Sequence, residues 1–158
     1  MSAEARLQDL GISLPDFSGS GYYGMTYGTM KPFHITGNVL YLSGHIPETD
    51  GEIIHPGRLG VTVTTEQGYE AARITGLNCL AGIRQAVGDL DKVKGLVRSL
   101  NFVVCEPDYY DVHKVSSGLT DLFAEVFGAD IGIGCRATIG VQSLARNNCF
   151  ETWAEFEI

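Results

Sequence analysis

The sequence is poor in basic residues. It has 11 lysines and arginines against 19 aspartates and glutamates, and its formal net charge at pH 7 is −8. Proteins bind nucleic acids largely by neutralising phosphates with Lys and Arg side chains, so this charge argues against an extended nucleic-acid-binding surface. We therefore expect no nucleic-acid partner.

The sequence also lacks paired cysteines and long apolar runs. Its four cysteines form no CxxC pair, and each lies in an apolar stretch, so we expect reduced core residues; they are Cys79, Cys105, Cys135 and Cys149. No apolar run approaches the length of a membrane span, and the first residues contain no apolar segment typical of a secretory signal. These absences predict a cytoplasmic protein with no membrane association.

Metal-binding and phosphate-binding motifs are absent as well. The four histidines have no spacing that places two of them on one helix face, so we expect no metal site. The glycine-rich stretch 19–24 is typical of a loop, and no GK[ST] follows it, so it does not predict a phosphate-binding loop. His45, at the end of a predicted strand, is either a cleft residue or a structural histidine.

The 158 residues are 44% hydrophobic, which is enough for one compact domain over 1–158, with 1–25 as an N-terminal extension. Apolar periodicity predicts the order ββαβαββ after a short helix at 3–10. The capping-box pair Thr64 and Gln67 begins the longer helix, and Gly88 ends it. The expected strands are 27–35, 38–43, 96–105, 135–141 and 149–157, the expected helices are 65–87 and 111–127, and 48–60 is expected to be an exposed turn.

Two helices cover only one face of a sheet of this size. The strand at 38–43 nevertheless carries consecutive apolar residues, which point to both faces. We therefore expect an α+β domain whose second sheet face packs against further subunits in a closed homo-oligomer.

An arginine stands in a strand that otherwise looks buried. Alternation over 135–141 sends Arg136, Thr138 and Gly140 to one face and the apolar residues to the other. An arginine in such a strand needs an anionic partner. The strand at 149–157 pairs with it most simply as a hairpin, which predicts that Glu151 lies near Arg136.

Two interpretations fit this pair. In the first, Arg136 and Glu151 form a partly buried structural ion pair without chemistry. In the second, Arg136 binds a substrate carboxylate bidentately while Glu151 handles a proton or a water molecule. Their spacing in the sequence fits both interpretations.

Several short motifs, in their order and spacing, resemble one family. They are the segment 38–47 (NVLYLSGHIP), the segment 88–93 (GDLDKV), the segment 125–128 (EVFG), and Arg136 followed fifteen positions later by Glu151. Together with the helix that begins near Glu70, they resemble the Rid (YjgF-type) enamine/imine deaminases, whose members also carry the name endoribonuclease. The resemblance extends over 27–158.

The resemblance implies a chorismate-mutase-like homotrimer with three clefts at subunit interfaces, no metal and no organic cofactor. It further implies that Arg136 holds the carboxylate of a 2-imino acid and that Glu151 positions or activates the attacking water. Thr138 and the backbone around Ser43 and Gly44 are expected to supply orienting hydrogen bonds.

The chain departs from the family pattern at several positions. Met30 stands where many deaminating members have a tyrosine, with Tyr23 and Tyr27 nearby, and Thr138 stands where the family usually has a cysteine. Ser117 replaces a frequent asparagine, and Ala145 replaces a proline. These departures, the long 48–60 turn and the N-terminal extension are typical of a divergent branch.

Three functions follow as hypotheses. The first is hydrolytic deamination of small 2-imino or enamine acids, including a specialised aminomuconate-like substrate. The second is non-catalytic binding of a small carboxylate by Arg136, in a binder or regulator. The third is the endoribonuclease activity named for some relatives, which the acidic composition disfavours.

Overall fold

A computed structural model describes residues 1–17 and 27–158, and the expected loop at 19–24 and Tyr23 lie outside them. The helices are α1 (Ala3–Asp9), α2 (Thr65–Val87), α3 (Val112–Phe127) and α4 (Ala129–Gly132). The strands are β1 (Phe33–Thr36), β2 (Val39–Leu42), β3 (Glu48–Thr49), β4 (Glu52–Ile53), β5 (Gly95–Val104), β6 (Cys135–Val141) and β7 (Phe150–Glu157). The predicted order is confirmed, with the small β3–β4 hairpin added.

Helix α2 begins and ends where the sequence predicts. The Thr64 hydroxyl accepts a hydrogen bond from the Gln67 backbone N–H, and the Gln67 side chain accepts one from the Thr64 N–H. These two bonds satisfy amide groups that have no partner inside the helix. Gly88 ends the helix at φ 85°, a left-handed conformation that glycine adopts without steric cost.

Helices α2 and α3 pack against each other at very short range because of one glycine. A Cβ atom added at Gly118 of α3 would lie 2.0 Å from the backbone oxygen of Tyr69 in α2. The two backbones therefore touch at this point. Elsewhere on the same two helices, Leu80, Val115, Leu119 and Leu122 are fully buried.

The main sheet has five strands in the order β1-β2-β7-β5-β6. Within residues 1–17 and 27–158, strand β6 pairs only with β5, in parallel, and β7 pairs antiparallel with β5 and with β2. The predicted hairpin between 135–141 and 149–157 is therefore wrong, since β5 lies between the two strands. Helix α3 carries the chain over the sheet from β5 to β6, and a crossover of this kind produces parallel neighbours.

The sheet has a covered face and an open face. On the covered face, under α2 and α3, lie buried side chains such as Leu40, Phe150 and Phe156. The open face carries large apolar side chains, including Trp153 at 52% exposure and Ile139 at 45%. The expectation that two helices leave one sheet face uncovered in a single chain is confirmed.

Three local predictions need correction. The first strand is shorter than the expected 27–35, since β1 begins at Phe33. The 48–60 segment is not wholly exposed, because Leu59 is fully buried and pairs with the end of β5. Among the cysteines, Cys79 and Cys149 are buried, and burial raises the pKa of the Cys149 thiol to about 11. Cys135, however, is exposed because its strand is at the sheet edge and its side chain lies on the open face.

Replacing Gly118 with Ala should destabilise the protein by about 3 kcal/mol, since the new methyl group meets backbone that has no room to move. The measurement is urea unfolding at equilibrium. Gly76→Ala is the matched control, because the nearest atom to its Cβ is a Leu122 methyl carbon at 2.8 Å, which a side-chain rotation relieves. Equal stability losses in the two variants would contradict this account of the helix contact.

Candidate functional site

The first group of candidate residues lies between the sheet edge and α3. Arg136 and Thr138 share the helix-facing side of β6, as their alternation predicts. One terminal nitrogen of Arg136, Nη1, donates hydrogen bonds to the hydroxyls of Ser117 at 3.3 Å and Thr120 at 3.1 Å, one helical turn apart on α3. Arg136 is thus held by hydroxyl groups rather than by a carboxylate.

These two bonds leave the other edge of the guanidinium available. Both hydrogens of Nη1 point to α3, whereas Nε and Nη2 have no hydrogen-bond partner among residues 1–17 and 27–158. By contrast, Arg73 and Arg98 each pair with a glutamate. The Nε–Nη2 edge of an arginine is the planar fork that can bind a carboxylate bidentately.

Thr138 lies next to the arginine but points into the domain. Its hydroxyl lies 2.7 Å from the Ser116 hydroxyl, and Ser116 is buried. Thr138 therefore fastens β6 to α3 within the single chain. The expectation that β6 is a buried strand is wrong, since most of its residues, Arg136 among them, are exposed at the sheet edge.

The second group surrounds Glu151, in a cavity of about 300 Å³ at one end of the open sheet face. Ser43 and Gly44 follow β2, and Glu151 and Trp153 project from β7 on the same side. The indole Nε1 of Trp153 donates a hydrogen bond to Oε1 of Glu151 at 3.0 Å. The lining residues are Tyr27, Met30, Ser43, Gly44, Ile46, Ala145, Glu151 and Trp153.

Gly44 makes room for the Glu151 carboxylate. A Cβ atom at Gly44 would lie 2.3 Å from Glu151 Oε1, so any larger residue would displace that oxygen. The backbone N–H of Gly44 has no partner in the described parts of the chain and borders the same cavity. The Ser43 hydroxyl, in contrast, already donates a hydrogen bond to the Lys31 backbone oxygen.

The two groups do not meet within one chain. Arg136 pairs across the ladder with Ser99 on the covered face, whereas Glu151 pairs with Phe102 on the open face. Strand β5 lies between the strands that carry the two residues, and their side chains are on opposite faces of the sheet. The prediction that Glu151 lies near Arg136 is therefore wrong for the single chain, and so is the interpretation of the pair as an ion pair within it.

His45 is structural rather than part of the cavity wall. It is 1% exposed, its Nδ1 donates to the Ser43 backbone oxygen at 2.6 Å, and its ring packs against Gly82 of α2. Burial lowers its pKa from 6.5 to about 4, although the bond to Ser43 partly opposes the shift. The imidazole is therefore neutral in the folded protein near pH 7.

Sequence reasoning missed several residues of both groups. Trp153 is two positions after Glu151 in an alternating strand, which places both on one face, and this signal was available in the sequence. Ser117 and Thr120 share a helix face at i,i+3 spacing, but nothing in the sequence linked them to Arg136.

In residues 1–17 and 27–158, no group of three His, Cys, Asp or Glu side chains is placed to hold a metal ion. Over the same residues, no helix is both long and apolar enough to cross a membrane.

Comparison with known proteins decides the family. Residues 4–148 match the family model described as "YjgF/chorismate_mutase-like, putative endoribonuclease". The chain belongs to the YjgF/Rid family. Its α+β architecture of a mixed sheet and helices is the chorismate-mutase-like fold of that family.

Full-length relatives are similar to this YjgF/Rid protein. Protein TCP17 of Trypanosoma cruzi is 32% identical over 154 residues, which are 98% of this chain and 92% of that protein. The crystal structure of Atu1372 from Agrobacterium tumefaciens has a TM-score of 0.86 at 34% identity, covering 99% of this chain and 92% of that one. A Shewanella oneidensis structure named a "putative endoribonuclease" has a TM-score of 0.89 at 27% identity, covering both chains completely.

A more distant family structure carries a ligand. Escherichia coli TdcF with bound serine has a TM-score of 0.58 at 20% identity, covering 83% of this chain and 89% of that one. At this distance the likeness concerns the fold alone. TdcF has a lower TM-score than the Agrobacterium tumefaciens and Shewanella oneidensis structures, and this difference fits a divergent branch of the family.

The buried neutral His45 should make stability depend on pH. Between pH 6.5 and 4 the unfolded chain binds a proton at His45 that the folded chain does not bind, so acidification favours unfolding. We expect the free energy of unfolding to fall by about 2 kcal/mol from pH 7 to pH 5, measured by urea titration. The loss should be absent in His45→Gln and retained in His34→Gln, which alters an exposed histidine; equal pH slopes in both variants would refute it.

Replacing Gly44 with Ala should move the Glu151 carboxylate without unfolding the protein, because the clash is with the end of a flexible side chain. We expect a stability change below about 1 kcal/mol and a shift in Trp153 fluorescence as its bond to Glu151 breaks. Gly95→Ala is the control, since the nearest atom to its Cβ is 4.0 Å away. An unchanged Trp153 spectrum in Gly44→Ala would count against the close packing of Gly44 and Glu151.

Proposed function

We propose that this protein hydrolyses small 2-imino and enamine acids to 2-oxo acids and ammonia, at sites that form between two chains. The observation that carries the proposal is the Nε–Nη2 edge of Arg136, which has no partner among residues 1–17 and 27–158, while Ser117 and Thr120 bind Nη1. An arginine fixed in this way is preorganised for a carboxylate, since little side-chain entropy remains to be lost on binding.

Glu151 supplies the second half of the chemistry. In this mechanism its carboxylate takes a proton from a water molecule as the water oxygen attacks the imine carbon, which Arg136 holds in place through the neighbouring carboxylate. The Gly44 N–H donates a hydrogen bond to the oxygen that is added. The resulting carbinolamine loses ammonia as the proton passes to nitrogen, so C=N and water become C=O and ammonia.

A homotrimer brings the two halves together. Within one chain, Arg136 and Glu151 are on opposite faces of the sheet, so a site that uses both residues needs Arg136 from one subunit and Glu151 from its neighbour. The apolar open face, with Trp153 and Ile139 about half exposed, supplies surface for such an assembly. The serine bound to the distant relative TdcF is a small carboxylate of the class that Arg136 would receive.

The second candidate is a non-catalytic carboxylate binder. One oxygen of Glu151 already accepts the Trp153 indole N–H, and Met30 stands in the cavity wall at the position where many deaminating family members have a tyrosine. A binder of this kind needs Arg136 but not Glu151.

An aminomuconate-like substrate remains a special case of the first proposal. A cytoplasmic location is part of the same proposal. So is the absence of a nucleic-acid partner, which draws support from the net charge of −8.

The test is subunit mixing. Arg136→Ala and Glu151→Gln should each abolish 2-oxo acid formation from freshly generated 2-imino acids. Unfolding the two variants together and refolding them should restore about a quarter of wild-type activity, because half of the arginine sides and half of the glutamate sides are intact in random trimers. Each variant refolded alone is the control and should stay inactive.

Other outcomes discriminate among the hypotheses. Full activity in Glu151→Gln would contradict the role of Glu151 as the base. Wild-type protein that assembles as a trimer but accelerates no imine in a panel of side-chain sizes would favour the binder. Failure of the mixture to recover any activity, with trimers formed, would contradict a site shared between chains. Arg136→Lys should be as inactive as Arg136→Ala, since a lysine keeps the charge but cannot form the planar fork.

A further inference from the structure

Two adjacent residues that are not glycine adopt left-handed backbone conformations beside the Glu151 cavity. Arg146 has φ 54° and Asn147 has φ 59°, in the connection between β6 and β7. The preceding residue, Ala145, lines the cavity. Because such conformations are unfavourable for residues with a side chain, they persist where surrounding contacts hold them.

The contacts that hold this turn come from the Arg146 side chain. Its Nη1 donates hydrogen bonds to the Tyr27 hydroxyl at 3.3 Å and to Glu48 Oε2 at 2.9 Å, and its Nη2 donates to the Gly51 backbone oxygen at 2.8 Å. One guanidinium thus ties the β6–β7 connection to the β3–β4 hairpin and to Tyr27. Of these three contacts, Tyr27 itself lines the Glu151 cavity.

This arrangement determines what the Tyr27 hydroxyl can do. Its oxygen accepts a hydrogen bond from Arg146, so its own proton is left to donate, and that proton has no acceptor in residues 1–17 and 27–158. The other side-chain donors in the cavity wall are committed, since Ser43 donates to Lys31 and Trp153 donates to Glu151. The side chains of Met30, Ile46 and Ala145 carry no polar hydrogen.

We propose that Tyr27 donates a hydrogen bond to the ligand that binds beside Glu151, and that Arg146 is the positioning residue that holds the hydroxyl there. The ligand class, a 2-imino acid or its 2-oxo product, rests on the proposed function above. In that reaction the Tyr27 hydroxyl binds the oxygen that water adds to the imine carbon, on which negative charge grows as Glu151 removes its proton. No proton leaves Tyr27 in this step, and the hydrogen bond strengthens as the charge develops.

The role of Arg146 predicts coupling between the two residues. Tyr27→Phe removes only the hydroxyl, and we expect kcat for imine hydrolysis to fall about tenfold with KM nearly unchanged. Arg146→Lys should lower kcat to a similar extent, because a lysine cannot reach all three acceptors. The double variant should be no worse than about tenfold, since Arg146 acts through Tyr27.

Two control variants isolate this effect. Tyr110→Phe alters a tyrosine that is 77% exposed and outside the cavity, and it should leave kcat unchanged. Glu48→Gln weakens the ion pair of Arg146 but keeps the Tyr27 contact, and we expect less than a twofold change. Unchanged kcat in Tyr27→Phe, or a hundredfold loss in the double variant, would overturn the proposal.

A binding measurement separates this proposal from the proposed function. Trp153 is the only tryptophan in the sequence and lines the same cavity, so its fluorescence reports on ligand there. Pyruvate, a stable 2-oxo acid, is the probe, and Tyr27→Phe and Arg146→Lys should each weaken its binding about five- to tenfold relative to wild type.

The outcomes are distinguishable. Saturable pyruvate binding without imine turnover would contradict the proposed function. Weaker pyruvate binding in the two variants would in that case still support the role of Tyr27. Normal turnover and binding in both variants would overturn the role of Tyr27 and Arg146 alone. A wild-type protein that neither binds pyruvate nor hydrolyses imines would overturn both proposals.

Discussion

The position of β5 in the middle of the sheet is the constraint on which the rest of the structure depends. It is the longest strand, and it pairs in parallel with β6 on one side and antiparallel with β7 on the other. Because neighbouring residues of a strand point to opposite faces, the register against β5 decides which face each functional side chain occupies. Arg136 is thereby placed under α3, and Glu151 is placed on the uncovered face.

Helix packing and site geometry are linked through α3. Contact with α2 at Gly118 fixes the position of α3 over the sheet, and the neighbouring residues Ser117 and Thr120 hold the Arg136 guanidinium. The arginine is therefore oriented by the same interface that forms the core. Under the proposed function, stability and ligand recognition would both depend on this helix pair, and a shift of α3 would alter both.

The sequence predicts the fold better than it predicts the site, for physical reasons. Capping residues such as Thr64 and Gln67 and helix-ending glycines act locally, so element boundaries follow from short segments. Strand pairing depends on which distant segments meet, and the proximity of β6 and β7 in the sequence favoured a hairpin that β5 interrupts. The resemblance pointed to Glu151 and Gly44, which line one cavity, and to Arg136, which lies outside that cavity. The position of Trp153 beside Glu151 follows from strand alternation, whereas the contacts of Tyr27 with Arg146 and of Thr120 with Arg136 emerge only from the folded chain.

The placement of Arg136 and Glu151 on opposite faces of one sheet bears on how many complete sites the protein has, as well as on the geometry of each site. A chain that is perfectly folded but alone carries two separate halves and no complete centre. Under the proposed arrangement, the number of working centres is set by how many chains are associated, which falls on dilution according to mass action. Specific activity would then vary with protein concentration, and two related proteins that co-assemble would create centres that neither possesses by itself.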